Sequence, residues 1–154
     1  MSTGNSPQIN LEPIRTPCIG VCSTGIGDSV CRGCKRFSHE VIDWNGYTQE
    51  EKRFVDKRLS GFLSQACALK CTVTDRELLK WQLDTQQVRY AADHDEYCWL
   101  FQLLRAGAGQ IKDASKYGFR VHGEWADLTL LQLRDQIDED FWVLSTAHYD
   151  RYLA

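Results

Sequence analysis

From Thr48 to Leu69, apolar residues recur at three- and four-residue steps: Phe54, Val55, Leu59, Phe62, Leu63 and Ala66 form one stripe, and Lys52, Arg53 and Lys57 fall largely on the other side. That period predicts an amphipathic helix with one buried face. Thr48 with Glu51 three residues on marks its start, a capping box in which the two side chains reciprocally satisfy orphan amides. Gly61 weakens the pattern by about 1 kcal/mol relative to alanine unless close packing wants it. Thr74 and Glu77 repeat the box and open a long helical pattern from Asp75 to about Arg105, with Leu78, Trp81, Val88, Ala92, Leu100, Phe101 and Leu104 as its apolar face. The polar stretches DTQQ and DHDE allow a break into two helices near Asp93, and the glycines of RAGAGQ end the pattern. Residues 110–126 carry turn residues, with Gly118 and Gly123 bracketing FRVH, and read as a short strand or a structured loop. The stretch from Leu128 to Leu153 has Leu130, Leu131, Leu133, Ile137, Phe141, Trp142, Leu144 and Tyr149, which suits one or two terminal helices closing the core. The fold class is therefore mainly α, with a small N-terminal four-cysteine knuckle packed on a helical body.

Upstream the periodicity disappears. Residues 1–15 are polar, include Pro7 and Pro13, and are expected to be a disordered tail. They have no apolar core and no basic residue before Arg15, so they do not read as a signal peptide. Further on, Ser38 can cap a short helix through Trp44, with Asn45-Gly46 supplying a left-handed stop. The predicted division is a tail over 1–15, a knuckle over 16–45 and a helical body over 46–154.

The knuckle holds four of the seven cysteines within seventeen residues, spaced Cys18-x3-Cys22-x8-Cys31-x2-Cys34. Two close thiol pairs joined by the loop STGIGDSV suit tetrahedral sulfur coordination, because each pair can turn its thiolates to one side and the loop lets the pairs face each other. Gly20 and Gly33 stand where the backbone would take positive φ or approach the sulfurs closely. Paired disulfides are the alternative. They suit secreted chains, and an odd cysteine count would leave one thiol over. A metal or cluster in a cytoplasmic setting is the expectation.

The segments CIGVC, CRGCKR, HEVIDW and YTQEEKR resemble the YdhL-like family, small bacterial proteins of unknown function labelled predicted iron-sulfur proteins. The resemblance covers about residues 16–58 and implies Cys18, Cys22, Cys31 and Cys34 as ligands. Spacing alone favours one structural Zn2+ ion, with Zn–S bonds of about 2.3 Å. Ile19, Val21, Phe37 and Trp44 would also shelter a cluster, and the resemblance tips the expectation to an iron-sulfur cluster.

Composition narrows the classes further. The net charge is −3, and from Cys71 onward fourteen acidic side chains face nine basic ones. Nucleic-acid binders usually carry a basic face, so no nucleic-acid partner is expected. No apolar run approaches the roughly 20 residues of a membrane span, so no membrane partner is expected either. The partner is expected to be another protein, met through Lys52, Arg53 and Lys57 or through exposed aromatics; were a nucleic acid bound after all, Arg32, Lys35 and Arg36 would be the contact. Cys67 and Cys71 stand four apart and could share a helix face, although half-buried packing is the commoner role. Cys98 reads as core, and DHDE as surface ion pairs. No acid-base or nucleophile set converges, which leaves an enzyme without support. Two functions remain: an iron-sulfur accessory protein for electron transfer or redox sensing, and a zinc-stabilised adaptor that binds another protein without redox activity.

Overall fold

The computed structural model describes residues 13–20 and 22–153, so the expected tail over 1–15 lies almost wholly outside the described residues. Among these, the architecture is five α-helices and one two-stranded sheet: α1 (Ser38–Asp43), α2 (Gln49–Ala68), β1 (Cys71–Val73), α3 (Arg76–Thr85), α4 (Glu96–Gly107), β2 (Phe119–Val121) and α5 (Leu130–Tyr152). Short 3₁₀ turns fill several of the connections.

Helix α4 is the centre. Cys98, Trp99, Leu100, Phe101, Leu103 and Leu104 are all buried, because α2, α3 and α5 pack around it, while Arg105 and Ala106 stay exposed. Asp95 caps it, accepting from the amides of Tyr97 at 2.9 Å and Cys98 at 3.3 Å. That cap supplies the break expected near Asp93.

Helix α2 begins at the predicted box, with Thr48 and Glu51 exchanging bonds of 3.0 and 3.1 Å. Val55, Leu59, Leu63 and Ala66 are buried as expected, but Phe54 is 75% exposed. At about 100° per residue, the stripe centred between Val55 and Ala66 leaves Phe54 well off its edge. Around Gly61 a methyl group would meet open space, so close packing does not account for it.

Helix α3 is capped by Asp75, whose carboxylate accepts from Leu78 N at 3.0 Å, rather than by Thr74. The amides of both Thr74 and Asp75 donate to the Gly118 carbonyl, at 2.8 and 3.0 Å, which holds Thr74 at the end of the sheet. Leu79 and Leu83 are the buried face, while Trp81 is 58% exposed. The sheet pairs Cys71, Thr72 and Val73 antiparallel with Val121, Arg120 and Phe119. Gly118 makes this approach possible: its φ is +81°, and a Cβ there would lie 2.3 Å from the Asp75 carbonyl oxygen. Helix α5 starts at a Thr129–Gln132 box and buries Leu133, Ile137, Phe141 and Ser145, one residue per turn.

Helix α1 differs from expectation at both ends. Its N-cap is Phe37, whose amide donates to the Glu40 carboxylate at 2.8 Å, so Ser38 is its first residue. It runs into a 3₁₀ turn at Trp44–Gly46, and Gly46 is not in the left-handed region.

Candidate metal centre

The knuckle folds as a short hairpin. Val30 and Phe37 form an antiparallel bridge, Cys31 N–H donates to the Arg36 carbonyl at 2.9 Å, and Lys35 N–H donates to the Cys31 carbonyl at 2.8 Å. This turn buries Cys31 and Cys34 together. The left-handed residue that reverses the chain is Lys35, with φ +64°, and not Gly33. Positive φ is strained for lysine, and the strain is offset by its buried ammonium, which donates to Gly33 O at 3.1 Å and pairs with Asp138 of α5. On the first thiol pair, Gly20 is left-handed as expected, with φ +88°.

The two buried thiols are electrostatically unequal. Burial pushes the Cys31 thiol up, but hydrogen bonds from the backbone of Cys34, Ser23 and Gly33 and from the Cys34 thiol outweigh it and bring its pKa down to about 7. Burial holds the Cys34 thiol above its ordinary value, although Arg36 opposes this by donating Nε–H to Cys34 Sγ at 3.2 Å. Amides and a guanidinium aimed at two adjacent sulfurs are the surroundings that thiolate ligands require. This half of the set fits a bound metal or cluster.

The other half is not assembled with it. Cys18 and Cys22 are exposed. The Cys18 sulfur accepts Gly20 N–H at 3.4 Å, and the Cys22 sulfur lies 3.0 Å from the Thr24 hydroxyl. Among the described residues no three His, Cys, Asp or Glu side chains gather as a metal site, and no disulfide joins the seven cysteines. Yet Cys22 is not remote along the chain. Ser23, the next residue, is buried, takes Arg32 N–H on its hydroxyl at 2.8 Å and bonds through its own backbone to the Cys31 sulfur. Ile19 lines a shallow cleft with Phe101, Arg105, Arg134, Asp135 and Asp138, beside the acid that takes Lys35.

Charge and aromatic contacts fasten the knuckle to the body. Arg32 pairs with Glu139 at 3.3 Å and lies 3.9 Å over the Trp142 ring, and Trp142 Nε1–H donates to Val30 O at 3.2 Å. Arg58 of α2 grips Glu40 of α1 with two bonds, at 2.8 and 2.6 Å, while its guanidinium lies 4.0 Å from the Phe37 ring centre. Sequence reasoning missed these partners. The one available signal was the acidic run Asp138-Glu139-Asp140 on α5, which meets Lys35, Arg32 and Lys70 respectively.

The remaining candidates have structural surroundings. Helix α2 ends before Cys71, which opens β1, but the two thiols still meet: the hydrogen bond to Cys71 and burial push Cys67 well above its ordinary range, and the same bond lowers Cys71. Cys98 is pushed up to about 12 by burial and by Asp95 and Asp56, and its thiol donates to Ser60 O at 3.2 Å. His94 pairs with Asp56 at 2.8 Å. His122 spans Thr72 Oγ1 at 2.7 Å and the Leu69 carbonyl at 3.1 Å, fastening the start of the sheet, and His39 is exposed. Lys35 and Arg36 are 1% and 3% exposed, so neither presents its charge to a nucleic-acid backbone.

No helix among the described residues is long and apolar enough to cross a membrane. No curated protein and no solved structure matches the chain. Residues 16–62 match the family model described as "Protein of unknown function (DUF1289)". The four-cysteine knuckle, α1 and most of α2 are thus similar to an uncharacterised, cysteine-rich family.

Proposed function

We propose that the chain is a small iron-sulfur accessory protein, serving electron transfer or redox sensing, with Cys18, Cys22, Cys31 and Cys34 as the thiolate ligands. The observation that carries this reading is the Cys31–Cys34 pair: two buried sulfurs side by side, with three backbone groups on Cys31 and a guanidinium on Cys34. Such donors stabilise thiolate over thiol and are what a sulfur ligand needs once removed from water. Cys22 adjoins the Ser23 backbone that touches Cys31, so the reading requires only that Cys18 and Cys22 turn toward the pair when the group binds. The resemblance of this stretch to the YdhL-like family supports iron. When bound, the cluster would supply a reversible one-electron couple; the chain's own residues would hold it and donate hydrogen bonds to its ligands, and buried Trp44 backs the Arg36 guanidinium that bonds Cys34.

A cytoplasmic setting, where thiols stay reduced, agrees with seven unbridged cysteines. The partner is another protein, met through the exposed Phe54 and Lys57 on the outer face of α2. Anaerobic purification from iron-supplied cells, followed by a visible absorption spectrum and metal and sulfide analysis, tests the reading. Brown protein with iron and labile sulfide is the expected result. Colourless protein with one zinc per chain would replace it by the adaptor function, in which the metal only folds the knuckle.

A further inference from the structure

Arg36 is 3% exposed, yet among the described residues no carboxylate pairs with it. Its neighbours Arg32 and Lys35 on the same hairpin have Glu139 and Asp138, and Arg58 on the adjoining helix has Glu40. Among the described residues, the Arg36 side chain bonds to the Cys34 sulfur, 3.2 Å from Nε, and lies over the Trp44 ring, whose centre is 4.9 Å from its guanidinium. Removing a permanent cation from water without an anion beside it is strongly unfavourable, and proteins rarely retain such a group unless a charge arrives to meet it. Four thiolates around a divalent metal carry two net negative charges, and the Cys34 sulfur is where that charge would face the guanidinium. The planar fork also suits the place, since Nε–H is directed at one sulfur while the cation's face rests on an aromatic ring.

We propose that Arg36 is the buried counter-cation of the thiolate centre: a positioning residue that holds the Cys34 sulfur and balances the negative charge arising when a metal binds. This rests on the four-thiolate reading above. It makes two expectations of opposite sign. Without metal, the guanidinium is a liability, and replacing it with an uncharged side chain of similar length leaves the chain as stable or more stable. With metal, the same replacement weakens binding. A residue that merely packs the hairpin would lower both quantities together.

The test uses the full chain, reduced and metal-stripped, with zinc as the probe. Urea melts of the apo form and chelator competition of the zinc-loaded form are compared for wild type, Arg36→Met and Arg36→Lys. The expected result is an Arg36→Met apo midpoint equal to or above wild type, with zinc affinity down about 10- to 100-fold, the usual range for loss of an outer hydrogen bond to a ligand. Arg36→Lys, which keeps charge without the fork, falls between. Equal zinc affinity in wild type and Arg36→Met overturns the role of Arg36 alone, and so does a drop in apo stability that accounts for the lost affinity. A wild-type chain that binds no zinc at Cys18, Cys22, Cys31 and Cys34 overturns the four-thiolate reading itself.

Discussion

In the helical body, Leu79, Leu83, Leu100, Leu104, Phe119 and Ile137 are entirely enclosed, whereas the knuckle and α1 enclose Lys35, Arg36 and Glu40 beside Val30, Phe37 and Trp44. The body closes by removing apolar surface from water, worth roughly 25 cal/mol per Å² and indifferent to direction. The knuckle is too short for that. It is held by directional contacts: the Arg58–Glu40 pair, the Lys35–Asp138 pair and the Trp142 bond to Val30. Each such contact carries a desolvation cost that offsets much of its gain. The difference teaches where a bound metal would matter, since the body has its own core and the knuckle has a framework of charges around two thiols.

The comparison breaks most visibly in the body. Leu104→Ala, at a fully enclosed position, should lower the unfolding free energy by about 4 kcal/mol, toward the upper end for leucine truncations because helices on several sides limit collapse of the cavity. Urea melts measure it, and a loss under about 1 kcal/mol would mean that the core is looser than its burial implies. Arg58→Ala comes next. It leaves the Glu40 carboxylate nearly enclosed and without its guanidinium, which should cost about 3 kcal/mol. Because Glu40 also holds the Phe37 amide, hydrogen exchange should quicken first at residues 37–43.

A smaller effect comes from His94, whose pKa is raised above the ordinary 6.5 by its bond to Asp56. A group with a raised folded pKa contributes fully below the unfolded value and loses that contribution as pH rises through the folded one. His94→Gln should therefore destabilise by about 0.5 kcal/mol on the acid side, as partly exposed pairs do, and by less on the alkaline side. Parallel melts across pH would contradict this if the difference grew with pH. The smallest expected change is the most telling for the division of the chain: stripping metal from loaded protein should leave the circular dichroism of α2 to α5 nearly unaltered, and a general loss of helix would make knuckle and body one folding unit.

Where local rules suffice, the chain was readable in advance. The Thr48–Glu51 box, the Ala66 side of α2, the end of the helix at RAGAGQ and the terminal helix all follow from period and capping. Misreadings cluster where tertiary contacts decide. Thr74 has the right spacing to cap α3, but its amide is taken by Gly118 across the sheet, and β1 is only three residues long, too short to have a period. Trp81 and Phe54 are apolar and so read as parts of buried faces, but the angle around the helix puts them outside. In the knuckle, the cysteine spacing marks the turn and the left-handed Gly20 but not the left-handed Lys35, which is held there by Asp138 more than a hundred positions away. No local pattern carries that pairing. Arg36 has only local partners, Cys34 and Trp44, but its burial beneath them is a tertiary outcome that the run CRGCKR does not carry.

The central claim is that the four knuckle thiols, and not the three in the body, hold one metal group. Cys22 tests it hardest, because it is exposed and its sulfur sits against Thr24, while Cys67 is fully enclosed beside Cys71. The deciding measurement is the metal content per chain of anaerobically purified wild type, Cys22→Ser and Cys67→Ser. The account predicts loss of the metal in Cys22→Ser and wild-type content in Cys67→Ser. Full metal occupancy in Cys22→Ser, or its loss in Cys67→Ser with the fold intact, would contradict it.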